Sequence, residues 1–264
     1  MQPGVSLELA RHRAATIAKV QYDLALDVTG RDRAPGTLTL RFERGANAGD
    51  LVVDFRGPVL DSVSANGAPV TDYTWEQGHI LVPARHLRIG ANTLSFRFAA
   101  AIAPAGASII RYDDSTDSTR YLYTLLVPAD ANQLFPSFDQ PDLKGVFRTE
   151  IVAPAGWRVL ANGPVADSAP VPGGVRWRFA PTEPISTYLA AFAAGPWKIH
   201  GDSAMRLYAR ASVAPRVDAD TLIRINREAA RWLEGYFAMQ FPFAKMDALL
   251  APAFPFGGME HVGA

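Results

Sequence analysis

The sequence predicts a mainly β protein, an antiparallel β-sandwich over residues 1–200 followed by a section over residues 201–264 that turns from strand to helix and back to strand. Three observations carry this. Short segments alternate apolar and polar side chains, the period of a strand with one buried face. Turn residues separate them at spacings of about ten residues, as in antiparallel sandwiches. After the strand-like Met205–Arg210 the apolar period lengthens to that of a helix.

Taken in order, the alternating segments are Tyr22–Val28, Thr37–Phe42, Leu51–Phe55, His79–Pro83 and Asn92–Phe98. Asn66-Gly67 and Gly90-Ala91-Asn92 supply turn chemistry between them, because Gly and Asn accept the left-handed backbone that tight turns need. Later strands are expected at Phe147–Pro154, Trp157–Asn162, Val175–Pro181 and Thr187–Gly195, punctuated by Asn162-Gly163 and Pro172-Gly173-Gly174. Trp177 lies between Arg176 and Arg178, so it faces the opposite side from both and is assigned to the core. From Asp218 to Met239, Leu222, Ile225, Ala229, Trp232, Leu233, Tyr236 and Phe237 recur at helical spacing and form one apolar face that needs a partner. Pro242 lies beyond its end, and Lys245–Pro252 reads as a short buried strand.

Composition excludes several classes. The chain has 264 residues, with 26 basic and 26 acidic side chains, so its formal charge is zero and no polybasic run points to nucleic acid or an anionic membrane. It has no apolar run of membrane-spanning length and no apolar leader core at its start, so cytoplasm and periplasm fit equally. It has no Cys, which removes disulfides and thiolate metal sites. The five histidines are His12, His79, His86, His200 and His261. None is followed by Glu and none has a His four residues on, so the HExxH zinc arrangement is absent and no metal ligand is assigned. His79 and His86 flank a strand and read as surface or rim residues. Asp113, Asp114 and Asp117 lie in a Ser- and Thr-rich segment without the central Gly and terminal Glu of a calcium loop, and read as a solvated loop. Asp139 and Asp142 flank Pro141 and are read as structural, Asp139 bracing its loop, rather than as the carboxylate pair of a glycosidase. Asn226 and Glu228 fall on a polar helix face. No nucleophile motif or phosphate loop occurs.

The strongest chemical signal is Phe254–Ala264, FPFGGMEHVGA. Gly257 and Gly258 carry no side chains, so a ligand backbone can approach and pair as an added strand. Glu260 offers a carboxylate to a cationic group such as a peptide amino terminus. The competing reading is a turn with ordinary solvated side chains. GGMEH at 257–261 resembles the GxMEN motif of the M1 family of zinc metallopeptidases, the gluzincin aminopeptidases, with His261 in the usual Asn position. YLYTLLVPADANQLFPSFDQPDLKGVF at 121–147, with Arg148 after it, is similar to the FPCFDEP-containing stretch ahead of that family's catalytic domain. The opening GVSLELARHRAATIAKVQYDLALDV also resembles that of bacterial members.

The resemblance implies that residues 1–200 are the family's β-sandwich N-terminal domain and that 201–264 begin its thermolysin-like catalytic domain, incompletely, with GGMEH on an edge strand. It implies a parent enzyme that removes N-terminal residues from peptides with a zinc ion. Gly257, Gly258 and Met259 would align the substrate backbone, Glu260 would hold its amine, and His261 completes the substrate-binding set. This chain, lacking the zinc motif, is expected to bind no zinc and to be inactive by itself. The uncovered helix face offers a route to self-association, as do Phe254 and Phe256 unless they fold back on the sandwich. Departures from the pattern matter. Where many members have TQFEP, this chain has Thr124-Leu125-Leu126-Val127-Pro128, so two polar positions are apolar. Ser137 replaces a common Cys and is read as structural. A partly protonated His261 would compete for the Glu260 carboxylate. Leu125 and Val127 count towards the alternative, a non-catalytic binding or scaffold member of the family.

Overall fold

The computed structural model describes residues 2–46 and 48–264, and the chain is mainly β. It opens with helix α1 (Leu7–Thr16), where the Ser6 side chain accepts the Leu9 N–H at 3.1 Å and so satisfies one of the free donors at the helix start. The chain then passes directly into the strand Ile17–Asp27, whose apolar side chains alternate in burial as its sequence requires.

Among the described residues twelve strands join in one sheet. Its hydrogen-bonded path runs Arg158–Ala161, Phe192–Gly195, Thr119–Thr124, Ile109–Asp114, Gly90–Ala103, Arg33–Arg44, Ile17–Asp27, Gly145–Ala153, Gly174–Phe179 and Val165–Val171. Val59–Ala65 pairs with the earlier part of Gly90–Ala103, and Ile109–Asp114 with its later part. One long strand thus serves two partners along the same edge. Strands near both ends of the path, through Val159, Phe192, Ile151 and Phe179, bury side chains in one core with Leu24, Leu38 and Phe98, so the sheet curls round a single interior. A three-stranded sheet of Leu51–Asp54, Thr74–Glu76 and His79–Val82 adds Leu51, Val53 and Ile80 to that core. Side chains such as Phe42, Phe96, Phe98 and Phe147 are almost wholly buried, each worth about 1.5–3 kcal/mol in transfer free energy.

The expected wholly antiparallel arrangement is corrected. Ile17–Asp27 pairs parallel with Gly145–Ala153, and Gly90–Ala103 pairs parallel with Ile109–Asp114. Parallel neighbours are joined by long crossovers rather than hairpins, so no local turn signal announces the first of these. The second half of the expected strand at Thr187–Gly195 forms, as Phe192–Gly195, while Thr187–Leu189 is a 3-10 turn. Arg111–Asp114, expected in a solvated loop, ends a strand, and Asp114 is buried against Arg210 and Ser212. Trp177 packs half-buried against the core.

A third sheet joins Lys198–Gly201, Arg206–Ala209 and Ala248–Leu249. The short helix α2 (Ala131–Leu134) precedes the FPSFDQP loop, and the long helix α3 (Ala219–Phe237) lies against the third sheet. Asp218 caps α3 by accepting the Thr221 N–H at 3.1 Å. It docks through Ala219 and Ile223, which pack with Met205 and Leu207. The apolar face read from the sequence stays open: Trp232, Tyr236 and Phe237 are each more than 60 % exposed, with the Trp232 and Tyr236 rings stacked at 5.2 Å. The strand expected over Lys245–Pro252 is reduced to Ala248–Leu249.

Candidate functional site

After Leu249 the chain leaves the sheet, and residues 254–264 form turns with no strand. The expected edge strand at Gly257–His261 is therefore not formed. Pro252 and Pro255 have no N–H to give a ladder, which stops strand pairing just ahead of it. Phe254 folds back, packing with Ala251 against the cluster of Tyr123, Leu160, Trp197 and Tyr208, while Phe256 stays exposed. The Tyr123 hydroxyl donates to the Pro252 carbonyl. Gly257 and Gly258 are exposed, and a Cβ at either would meet open space, so packing does not demand glycine there.

Glu260 is exposed and accepts a hydrogen bond from the Tyr188 hydroxyl at 3.1 Å. Burial, then the Glu260 carboxylate, push the Tyr188 phenol above its ordinary range, so it stays protonated and donates. Two residues on, the Val262 carbonyl accepts from Asn162 Nδ2 at 2.9 Å. The Gly263 carbonyl accepts from the Asp247 N–H at 3.2 Å and from Lys245 Nζ. Lys245 is buried against Asp247 at 2.8 Å, and burial draws its ammonium below the ordinary lysine range. Gly263 has φ +70, and a Cβ there would sit 2.4 Å from the Asn162 carbonyl oxygen, so this glycine is required twice over.

His261 is half-buried beside Glu260. Burial pushes its imidazole down to about 4, outweighing the upward pull of the carboxylate, so the ring is neutral at pH 7. The competition expected from a protonated His261 is corrected on that ground. Met259 and His261 line a cleft of about 890 Å³ with Gly257, Gly258, Phe254 and Leu160, and Arg210 and Asn226 also border it. Leu125 packs half-buried onto the Tyr123 and Trp197 cluster, which accounts physically for an apolar residue there. Val127 is half-buried. Ser137 is buried and pairs its backbone with Asp54, at 2.7 and 2.9 Å, in keeping with a structural role.

The FPSFDQP loop is braced as expected at Asp139. Its carboxylate accepts from Asn132 N at 3.0 Å, Asn132 Nδ2 at 2.7 Å and Thr187 Oγ1 at 2.7 Å, while burial pushes it above the ordinary carboxylate range. Asp142 meets the Gln140 amide at 3.1 Å.

A second polar cluster lies under α1. Asp54 accepts from Arg13 Nη1 and Nη2, both at 2.7 Å, and from His79 Nδ1 at 2.8 Å. The expectation of His79 at the surface is corrected: it is 3 % exposed, and its Nε2 faces the carbonyls of Gln2 and Gly4 at 3.0 and 3.1 Å. Both ring nitrogens meet acceptors, an environment that suits imidazolium, and the Asp54 hydrogen bond raises its pKa. A cleft of about 540 Å³ beside it is lined by Glu8 and His12 among others, but it gathers no set of convergent ligands. Among the described residues no group of three His, Cys, Asp or Glu side chains is placed to hold a metal ion, and none of their helices is long and apolar enough to cross a membrane.

Comparison with known proteins agrees with this architecture. The family described as the peptidase M1 N-terminal domain matches residues 19–189. Aminopeptidase N of Streptomyces lividans is 34 % identical over 99 % of the chain, which corresponds to 32 % of that protein. Aminopeptidase N of Acetobacter pasteurianus is 27 % identical over 88 % of the chain and 56 % of its own length. Human glutamyl aminopeptidase is 31 % identical over 52 % of the chain and 15 % of its own length. The chain thus spans between about a third and about a half of the two aminopeptidase N relatives.

Proposed function

Because the chain belongs to the M1 peptidase family, whose N-terminal domain it carries, we propose that it forms the substrate-gauging front of a zinc aminopeptidase that removes N-terminal residues from peptides. The observation that carries this reading is the setting of Glu260: an exposed carboxylate held by Tyr188 and by the Asn162 tie at Val262, next to Met259 and His261, which line the cleft while Glu260 itself does not. An exposed carboxylate with an oxygen free can accept two or more N–H bonds from an ammonium group, whereas a neutral or acylated terminus offers it much less. Gly257 and Gly258, without side chains, let a peptide backbone come close to the main chain, and the neutral His261 leaves the Glu260 charge to the substrate. In this reading residues 1–200 are the sandwich domain and 201–264 begin a thermolysin-like catalytic domain.

Zinc belongs in this proposal to the whole protein. The residues of this chain do not fit it, since no HExxH occurs in the sequence and no ligand set converges among the described residues, so no bond-breaking step is assigned to them and the chain alone is expected to be inactive. The exposed face of α3, with Trp232, Tyr236 and Phe237, is a packing surface; in the isolated chain a second copy is its natural cover.

The test is Glu260→Ala in the intact protein that carries this chain. It should lower kcat/KM for amino-acyl chromogenic substrates by about 100-fold, the scale of a lost charge-assisted contact. An unchanged kcat/KM removes Glu260 from the site.

A further inference from the structure

Glu260 does not hold its own position. It sits in an irregular tail without strand pairing, where a backbone has many conformations to choose from and an exposed glutamate many rotamers. Hydrogen bonds from four residues limit that freedom, Lys245 and Asp247 at Gly263 and, from far back in the chain, Tyr188 and Asn162. Tyr188 donates to Glu260 Oε1 at 3.1 Å, which leaves Oε2 open. Asn162 spends every polar atom of its buried side chain at one junction: Nδ2 donates to the Val262 carbonyl at 2.9 Å and to the Leu189 carbonyl at 2.8 Å, and Oδ1 accepts the Ala191 N–H at 2.7 Å. Its amide therefore ties the tail to the same turn, Thr187–Leu189, that carries Tyr188. That turn is itself fixed, because Thr187 donates to the buried Asp139 carboxylate and Ser186 to the Pro141 carbonyl at 2.6 Å. Gly263 allows the close approach that this needs, with the Asn162 backbone oxygen where its Cβ would be.

We propose that Asn162 and Tyr188 are positioning residues that aim the Glu260 carboxylate at a ligand amine. The sandwich thereby takes part in recognition: it fixes the backbone at Val262 and one carboxylate oxygen, and presents the other. This inference rests on the reading of Glu260 as an amine-binding residue. It also separates two roles within one side-chain set. Glu260 touches the ligand, whereas Asn162 and Tyr188 act through it.

The predicted signature is a loss confined to ligands that carry an amine. Leucinamide and its des-amino counterpart 4-methylpentanamide share a side chain and an amide and differ in the ammonium group alone. Their inhibition constants are to be measured on the intact protein, as wild type, Tyr188→Phe and Glu260→Gln. Tyr188→Phe removes one hydroxyl and keeps the ring, so folding is preserved; it should weaken leucinamide about 3–10-fold, the range for one hydrogen bond to a charged group in an open site. It should leave 4-methylpentanamide unchanged. Asn162→Ala, checked for a native melting profile, should weaken leucinamide at least as much. A general structural disturbance would instead weaken both ligands together, and that result overturns the proposal. A loss of amine discrimination in Glu260→Gln with none in Tyr188→Phe overturns it while leaving the reading of Glu260 intact. Full discrimination in Glu260→Gln defeats that reading and this inference with it.

Discussion

Asp54 accepts two hydrogen bonds from Arg13, one from His79 and one from the Asp139 N–H at 2.9 Å, in a place almost closed to water. Burial alone would raise its pKa, but His79 and Arg13 outweigh it and hold the carboxylate below its usual range. Asp54→Asn would leave the Arg13 and His79 charges buried without a counter-ion, and a loss of about 3–5 kcal/mol is expected, read by urea unfolding. The pH dependence has two limbs. Asp54 is depressed, so its contribution is present above the unfolded value near 3.8 and lost as pH falls through its lower folded value. His79 is raised, so its contribution is complete below the unfolded value near 6.5 and lost as pH rises through its higher folded value. His79→Gln should flatten the alkaline limb of a stability profile and also shrink the acid limb, which Arg13 and the Asp139 N–H are then left to sustain. Nothing in the segment His79–Pro83 announces this network, since its partners lie at Arg13 and Asp54 and at the backbone of Gln2 and Gly4. The bracing role of Asp139 was legible from its FPSFDQPDLK context.

Of the strands with clean alternation, Thr37–Phe42 and Asn92–Phe98 lie within strands of the structure and Tyr22–Val28 runs one residue past the end of Ile17–Asp27, since a buried face imposes the period of two on the sequence. Helix α1 was missed: its apolar residues keep no stripe, and its one deeply buried side chain is the charged Arg13. Helix α3 was legible from end to end, but which face it buries was not. Ala219 and Ile223 dock it, and the richer face of Trp232, Tyr236 and Phe237 points to solvent. If that face covers itself with a second copy, sedimentation of the isolated chain should rise with concentration, and Trp232→Glu should restore a monomer. In the tail, two glycines that look alike in sequence differ in kind from a third. Gly257 and Gly258 have free space about them, whereas Gly263 has none. Gly263→Ala should destabilise the chain by about 1–3 kcal/mol in thermal melts, through positive φ and collision with the Asn162 carbonyl.

At the scale of the whole molecule, one curled sheet, a small second sheet and the α3 layer share a chain in which residues distant in sequence meet at the tail. A mainly β chain and its family were readable from alternation, turns and two motifs. The parallel pairing of Ile17–Asp27 with Gly145–Ala153 was not, because register between strands far apart is set by the shared core and not by local residues. The same non-local folding brings Tyr188 to Glu260 and Asn162 to Val262, and so assembles the proposed gauge from both parts of the chain. In the proposed function this gauge reads a free amino terminus. The most direct measurement compares hydrolysis of leucyl-4-nitroanilide with that of its Nα-acetyl derivative by the intact protein. The free-amine substrate should be cleaved at least about 100-fold faster, as expected when a carboxylate loses its charged partner. Equal rates on the two substrates, or no cleavage of either, would contradict it.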